Sequence, residues 1–159
     1  MIDRLIIYTY GIVVDIRSST QESQRLLEEA FEWGSKELGL VYKPTMIKRW
    51  QYASQVIFRS DFHLTEISPA VQTSAQKLAE RISAITGEKL SYELTVLAID
   101  YDQVARKHPL GRFSIQRRDN TPFSENKYFS EAPLQTDDHI ALLEQFEADL
   151  RPPLNPLLL

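Results

Sequence analysis

The segment from Val13 to Thr20 holds the side chains whose types and order are best suited to chemistry. It reads Val-Val-Asp-Ile-Arg-Ser-Ser-Thr, so an apolar run ends at Asp15 and the hydroxyl residues Ser18, Ser19 and Thr20 follow shortly after. A carboxylate in that place can ligate Mg²⁺. The free N–H groups at the start of a following helix can receive a phosphate. The pattern therefore indicates a candidate nucleotide or phosphate site, with Mg²⁺ as its one possible cofactor.

Arg17 lies within the motif, and either Arg59 or Arg112 would complete the site as an anion clamp. The motif resembles the first metal-binding motif of class III nucleotide cyclases, in which an aspartate leads into a short turn and a helix. That family also carries a Gly-Asp pair in a later hairpin, for which the nearest match here is Ser60-Asp61. The resemblance implies a degenerate nucleotide-cyclase-like domain. The alternative is a structural Asp15 that caps the helix or forms a salt bridge with Arg17 or Arg59.

A second group of candidate residues is basic. Five cations accompany Phe113 between residues 106 and 118: Arg106, Lys107, Arg112, Arg117 and Arg118. Such a cluster can neutralise phosphates or contact an acidic partner. The alternative is a solvated loop whose charges balance acidic helices. The net charge of −4 favours the loop and argues against a nucleic-acid partner.

A third candidate is the tail, residues 151–159. It holds three prolines and four leucines, which are Leu154, Leu157, Leu158 and Leu159. Burying one leucine is worth about 1.5–3 kcal/mol, and proline lowers the entropy that an extended segment loses on docking. We expect the tail to dock on its own domain, on a second copy or on another protein. A frayed terminus is the alternative.

The remaining reactive residue types indicate no catalytic centre. His63, His108 and His139 lie far apart and lack the spacing of a zinc site, although Asp61 could orient His63 as a base. The chain has no cysteine, which excludes a thiol nucleophile, a disulfide and a thiolate metal site. It also lacks a Gly-x-Ser-x-Gly turn and a glycine-rich phosphate loop. Asp15 alone is a candidate metal ligand.

Length and composition indicate one ordinary globular domain. The 159 residues suit a single domain over 1–150 followed by the tail. Hydrophobic residues make up 43% and charged residues 25%, which excludes global disorder. No apolar run approaches the ~20 residues of a membrane span, and no secretory signal pattern is present. We expect a soluble, cytoplasmic protein without a membrane partner.

Hydrophobic periodicity and capping residues predict the elements. Ser19 and Glu22 have capping-box spacing before one helix, Ser68-Pro69 starts a second, and Gly87 ends it. The predicted elements are a long central strand at 4–17, a helix at 20–38, two strands within 40–61, a helix from 68 to 87, a strand at 90–101, a long irregular loop at 103–135 with a short strand possible at 113–116, and a helix from 136.

This order, βαββαβ, predicts an α+β fold of the ferredoxin-like kind: an antiparallel sheet with two helices on one face, here with a C-terminal helix and an extended tail added. The arrangement hosts many functions. Our leading hypothesis is a non-enzymatic protein–protein interaction or assembly protein that self-associates through the 103–135 loop and the tail. A nucleotide- or phosphate-binding domain is the alternative. RNA binding through strand tyrosines is a third, without the aromatic-rich consensus strand of such modules.

Overall fold

The structure is a computed structural model that describes residues 1–102, 104 and 110–150. Within these residues the chain is mixed α+β, as expected, with three helices and two antiparallel sheets. The strands are β1 Ile2–Tyr8, β2 Gly11–Ile16, β3 Ser54–Arg59, β4 Val96–Ile99, β5 Phe113–Arg117 and β6 Lys127–Ala132. The helices are α1 Thr20–Glu37, α2 Pro69–Thr86 and α3 Thr136–Leu150.

The stretch predicted as one central strand, 4–17, is a hairpin instead. β1 and β2 pair antiparallel in a sheet of their own, with Tyr8 opposite Gly11 and Ile7 opposite Ile12. The turn at Thr9-Tyr10 lacks the Asn-Gly or Asp-Gly signature of a two-residue hairpin loop. The apolar run therefore looks continuous in the sequence although the chain reverses inside it.

The second sheet has the strand order β3-β6-β5-β4, and every neighbouring pair is antiparallel. α2 connects β3 at one edge to β4 at the other. The specific ferredoxin-like arrangement is not confirmed, because the hairpin stands apart and the two central strands come from the segment 103–135. That segment was expected to be an irregular loop, with a strand possible only at 113–116.

Two other predicted strands are shorter than expected or missing. The predicted strand beginning at Tyr42 is absent, and a short 3₁₀ helix occupies Pro44–Met46 instead. The predicted strand at 90–101 is confined to Val96–Ile99. The predicted helix boundaries agree more closely with the structure. Ser19 accepts a hydrogen bond from the N–H of Glu22 at 3.2 Å, and Gly87 caps α2 with φ of 74°.

The core lies between the second sheet and α3. Its buried residues are Leu64, Ile115, Tyr128 and Leu143, with Phe58 and other apolar side chains packed around them. The starts of α1 and α3 cap each other, because the N–H of Thr20 donates to Thr136 Oγ1 at 2.9 Å and the N–H of Thr136 donates to Thr20 Oγ1 at 2.8 Å. This reciprocal cap joins the N-terminal part to the sheet layer. None of the described helices combines the length and apolarity that crossing a membrane requires.

Candidate functional site

The carboxylate of Asp15 is already held by a cation of its own hairpin. Arg4 Nε donates to Asp15 Oδ2 at 2.6 Å across the β1–β2 pair. Arg17, which the sequence offered as a partner of Asp15, donates to Asp3 at 2.9 Å, and the bond raises the pKa of the guanidinium. Arg59, the other suggested partner, donates to Glu125 at 3.2 Å. The structure therefore brings neither Arg17 nor Arg59 to the carboxylate of Asp15.

Backbone donors at the start of α1 are also engaged. The N–H groups of Thr20, Glu22 and Ser23 donate respectively to Thr136 Oγ1, to Ser19 Oγ and to the carbonyl of Ser19. A phosphate bound there would have to displace these acceptors. The geometry favours the structural interpretation of this motif, a capped helix start behind a salt-bridged strand, while Ser18 stays exposed.

The basic cluster divides into three kinds of residue. Arg112 and Arg118 are exposed, as a partner surface requires. Phe113 is half-buried, with its ring 6.1 Å from that of His139. Arg117 is buried and points into the fold, so it is not the surface cation that the sequence suggested. Arg106 and Lys107 lie outside the described residues, as do Leu154, Leu157, Leu158 and Leu159 of the tail.

Arg117 is the centre of a buried polar cluster that sequence reasoning missed. Its guanidinium forms an ion pair with Glu93, donates to the carbonyl of Phe123 at 2.9 Å and lies 5.1 Å from the centre of the Tyr128 ring. Burial of an arginine is tolerated when a carboxylate and further acceptors compensate for lost hydration. This cluster ties β5 to the segments that precede β4 and β6.

His63 lies at the edge of this cluster, and its neighbouring carboxylate is Glu93 rather than Asp61. Its Nδ1 is 3.2 Å from Arg117 Nη2 and 3.4 Å from Glu93 Oε2. Arginine can only donate, so a neutral ring accepts from Arg117 through Nδ1, whereas a bond to Glu93 requires a proton on that nitrogen. Both arrangements hold the ring in place, and we interpret the cluster as structural.

His139 forms a second buried network. Ser130 Oγ lies 2.8 Å from the carbonyl of Ser114 and can only donate to it, so it accepts from His139 Nε2 at 2.8 Å. His139 Nδ1 then accepts from Ser54 Oγ at 2.6 Å. Burial lowers the pKa of His139, and Glu131 opposes this only in part. The neutral imidazole fastens α3 to β3 and β6.

Two depressions in the described part of the structure suit neither a nucleotide nor a metal. One is a cavity of about 10 Å³ that Glu147 helps to line, with room for about one water. The other is a groove of about 260 Å³ lined in part by Trp50 and Pro133, just below the usual range of ligand pockets. Neither is lined by Asp15. Across residues 1–102, 104 and 110–150, no three His, Asp or Glu side chains could together hold a metal ion.

The hairpin carries an aliphatic face that is only half covered. Leu5 lies opposite Val14 and Ile7 opposite Ile12, which places these four side chains on one side of the two-stranded sheet. Val14 and Ile12 are half-buried on the strand that α1 contacts. Leu5 and Ile7, on β1, are 55% and 73% exposed. The uncovered half of this face therefore lies along a strand whose outer edge no described strand pairs.

Comparison of the chain with protein-family models, with curated proteins and with solved structures found no match. Functional inference therefore depends on the residues and the geometry described above. Among these features, the hairpin combines exposed aliphatic side chains with a strand edge that no described strand pairs.

Proposed function

We propose that this chain is a non-enzymatic protein that works by self-association, with a second copy of itself as the principal partner. The accessible surface is the observation that supports this. The chain exposes 12410 Å², whereas a folded monomer of 18.4 kDa exposes about 8,200 Å² by the usual scaling with mass. Exposed apolar surface beyond the monomer expectation supports a partner that covers part of it.

The excess persists when the residues outside the described part are discounted. Those fifteen residues, 103, 105–109 and 151–159, would expose about 2,500 Å² if fully unfolded. The remaining surface still exceeds the roughly 7,600 Å² expected for the described residues alone by about 2,300 Å², whereas a standard interface covers about 800 Å² of each partner. The surplus on each chain is therefore larger than one standard dimer contact would cover.

The hairpin face is the part of this surface that best fits an interface. A two-stranded sheet is marginally stable in water by itself, and a third strand or a covering layer stabilises it. The exposed residues Leu5 and Ile7 are aliphatic neighbours on its free edge strand. A second copy presents the same edge and the same aliphatic side chains, so the two patches are complementary by symmetry.

The basic cluster and the tail, which the sequence indicated as partner-binding, enter this proposal as secondary contacts. Arg112 and Arg118 are exposed cations that could meet acidic groups of the partner. The leucines of residues 151–159 stay candidates for docking, as their sequence predicts. We place this association in the cytoplasm, with which a chain that lacks cysteine is compatible.

The direct test is the mass of the full chain in solution. Sedimentation velocity over a series from nanomolar to high micromolar concentration should show a species of twice 18.4 kDa that dissociates on dilution. High salt should leave it largely intact, because an aliphatic interface is not screened by ions. A chain that stays monomeric over the whole series would refute the proposal.

A further inference from the structure

If the chain self-associates as proposed, the structure also indicates how the two copies are arranged. We propose that β1 pairs edge to edge with β1 of a second copy, antiparallel and centred on Ile6, to form a continuous four-stranded sheet in the order β2-β1-β1-β2. The partner is a second copy of this chain. The interface combines backbone hydrogen bonds at the open edge with burial of the uncovered aliphatic side chains.

The open edge supplies the first step of the argument. β1 has a strand neighbour on one side, β2, and none on the other among the described residues. An unpaired strand edge offers a row of N–H and C=O groups to any strand that can align with it. Edge strands in monomers are blunted by proline, lysine or a bulge. β1 has a register irregularity at Asp3, between Ile2 and Arg4, and is regular from Arg4 to Tyr8.

Symmetry then restricts the register. When a two-fold axis normal to the sheet relates two antiparallel strands, each residue keeps its face, so the axis must lie midway between one residue and its own copy. Centring on Ile6 places Leu5 opposite Ile7 of the second copy, and Arg4 opposite its Tyr8. The regular stretch Arg4–Tyr8 is then paired over its full length, and the irregularity at Asp3 ends the pairing.

The neighbouring registers are chemically poorer. Centring on Leu5 sets Arg4 against Ile6 of the second copy and Asp3 against its Ile7, so charges face aliphatic side chains. Centring on Ile7 sets Leu5 against the turn residue Thr9 and shortens the paired stretch. Only the Ile6 register gives aliphatic pairs on one face and cation–aromatic pairs on the other.

The Ile6 register also preserves the contacts that the hairpin already has. Arg4 keeps its 2.6 Å hydrogen bond to Asp15 on the β2 side while its guanidinium faces the Tyr8 ring of the second copy. Leu5 and Ile7, the more exposed aliphatic residues of the regular stretch, cover each other. No rearrangement of the hairpin is required, so the two copies can associate as folded units.

A cysteine scan in the full chain tests the register, because the natural sequence has no cysteine. In Ile6→Cys the two introduced residues lie directly opposite, with Cα atoms about 4.5–5.5 Å apart, inside the range that a disulfide spans. Mild oxidation should link most chains in pairs. In Leu5→Cys or Ile7→Cys alone the residues are diagonal, about 7–8 Å apart, and should link poorly. An equimolar mixture of these two variants should link efficiently.

The outcomes separate this inference from the proposed function. Preferential linking of Leu5→Cys or of Ile7→Cys alone would overturn the Ile6 register. Absence of linking at all three positions, in variants that sediment as dimers, would overturn the edge pairing and leave self-association standing. Monomeric sedimentation of the unmodified chain would remove both. Ile85→Cys, which introduces a thiol at an equally exposed isoleucine of α2, is the matched control and should not link.

Discussion

Ser130→Ala is predicted to destabilise the fold by much more than the loss of one oxygen atom would suggest. Ser130 Oγ is the middle of a chain in which it accepts from His139 Nε2 and donates to the carbonyl of Ser114. The side chains of Ser130 and His139 are fully buried. The substitution leaves the imidazole N–H without an acceptor and removes one donor from the Ser114 carbonyl, in a place that water cannot reach.

The magnitude follows from the unpartnered imidazole N–H. Leaving one buried polar group without a partner costs about 1–3 kcal/mol, and the ring N–H has no other acceptor among the described residues. For a chain of this size, each kcal/mol lowers the melting temperature by roughly 2–4 °C. We therefore expect a loss of about 1–3 kcal/mol in unfolding free energy and of about 2–12 °C in Tm.

Urea denaturation followed by circular dichroism would measure the loss. The matched control is Ser114→Ala on the neighbouring strand, because Ser114 is also buried but its hydroxyl bonds to none of the described residues. That variant should lose less than about 1 kcal/mol. Equal losses from the two variants would refute the reasoning, because the effect would then come from burial of serine and not from the network.

Three further predictions concern the other polar groups. Because the pKa of His139 is lowered in the fold, unfolding free energy should fall as pH drops below the ordinary value of 6.5, by at most about 1.4 kcal/mol per pH unit, until the native pKa is reached. An identical pH slope in His139→Gln would contradict this. Glu93→Ala leaves the buried charge of Arg117 without its carboxylate and should lower the unfolding free energy by about 3–5 kcal/mol. Glu125→Ala breaks an exposed ion pair and should lower it by less than about 1 kcal/mol. Equal losses in the two variants would be evidence against the buried pair. ATP or GTP with Mg²⁺ should leave Tm unchanged in a thermal-shift assay, and a rise that Asp15→Ala abolishes would revive the nucleotide interpretation.

Local signals in the sequence predicted the helices well. Helix ends are set by contacts within a few residues, so the spacing of capping residues is enough to predict them. The residues that did so here are Ser19, Pro69 after Ser68, and Gly87. The inward set of β3 also follows from alternation, since Ser54, Val56 and Phe58 are the more buried positions. These features required no knowledge of distant parts of the chain.

The remaining features depend on partners far along the chain. β6 carries Ser130 at a fully buried position, and nothing in its composition reveals that His139 will satisfy it. Arg117 looked like one cation of a surface cluster because its partner Glu93 lies 24 residues earlier. The hairpin turn at Thr9-Tyr10 lacks the residues that mark such turns. Whether a polar group is buried depends on contacts between residues that are far apart in the chain. The spacing of residues along a single sequence does not show those contacts.

The central claim, that β1 is an association surface, is tested most directly by comparing Ile7→Lys with Ile85→Lys in sedimentation velocity. The two isoleucines are matched in exposure, at 73% and 79%, but only Ile7 lies on the proposed interface. Each dimer loses two buried side chains worth at least about 1.5 kcal/mol each, which raises the dimer Kd about a hundredfold. We predict that Ile7→Lys sediments as a monomer at concentrations where the unmodified chain and Ile85→Lys are dimers. Equal dissociation constants for the two variants would contradict the account.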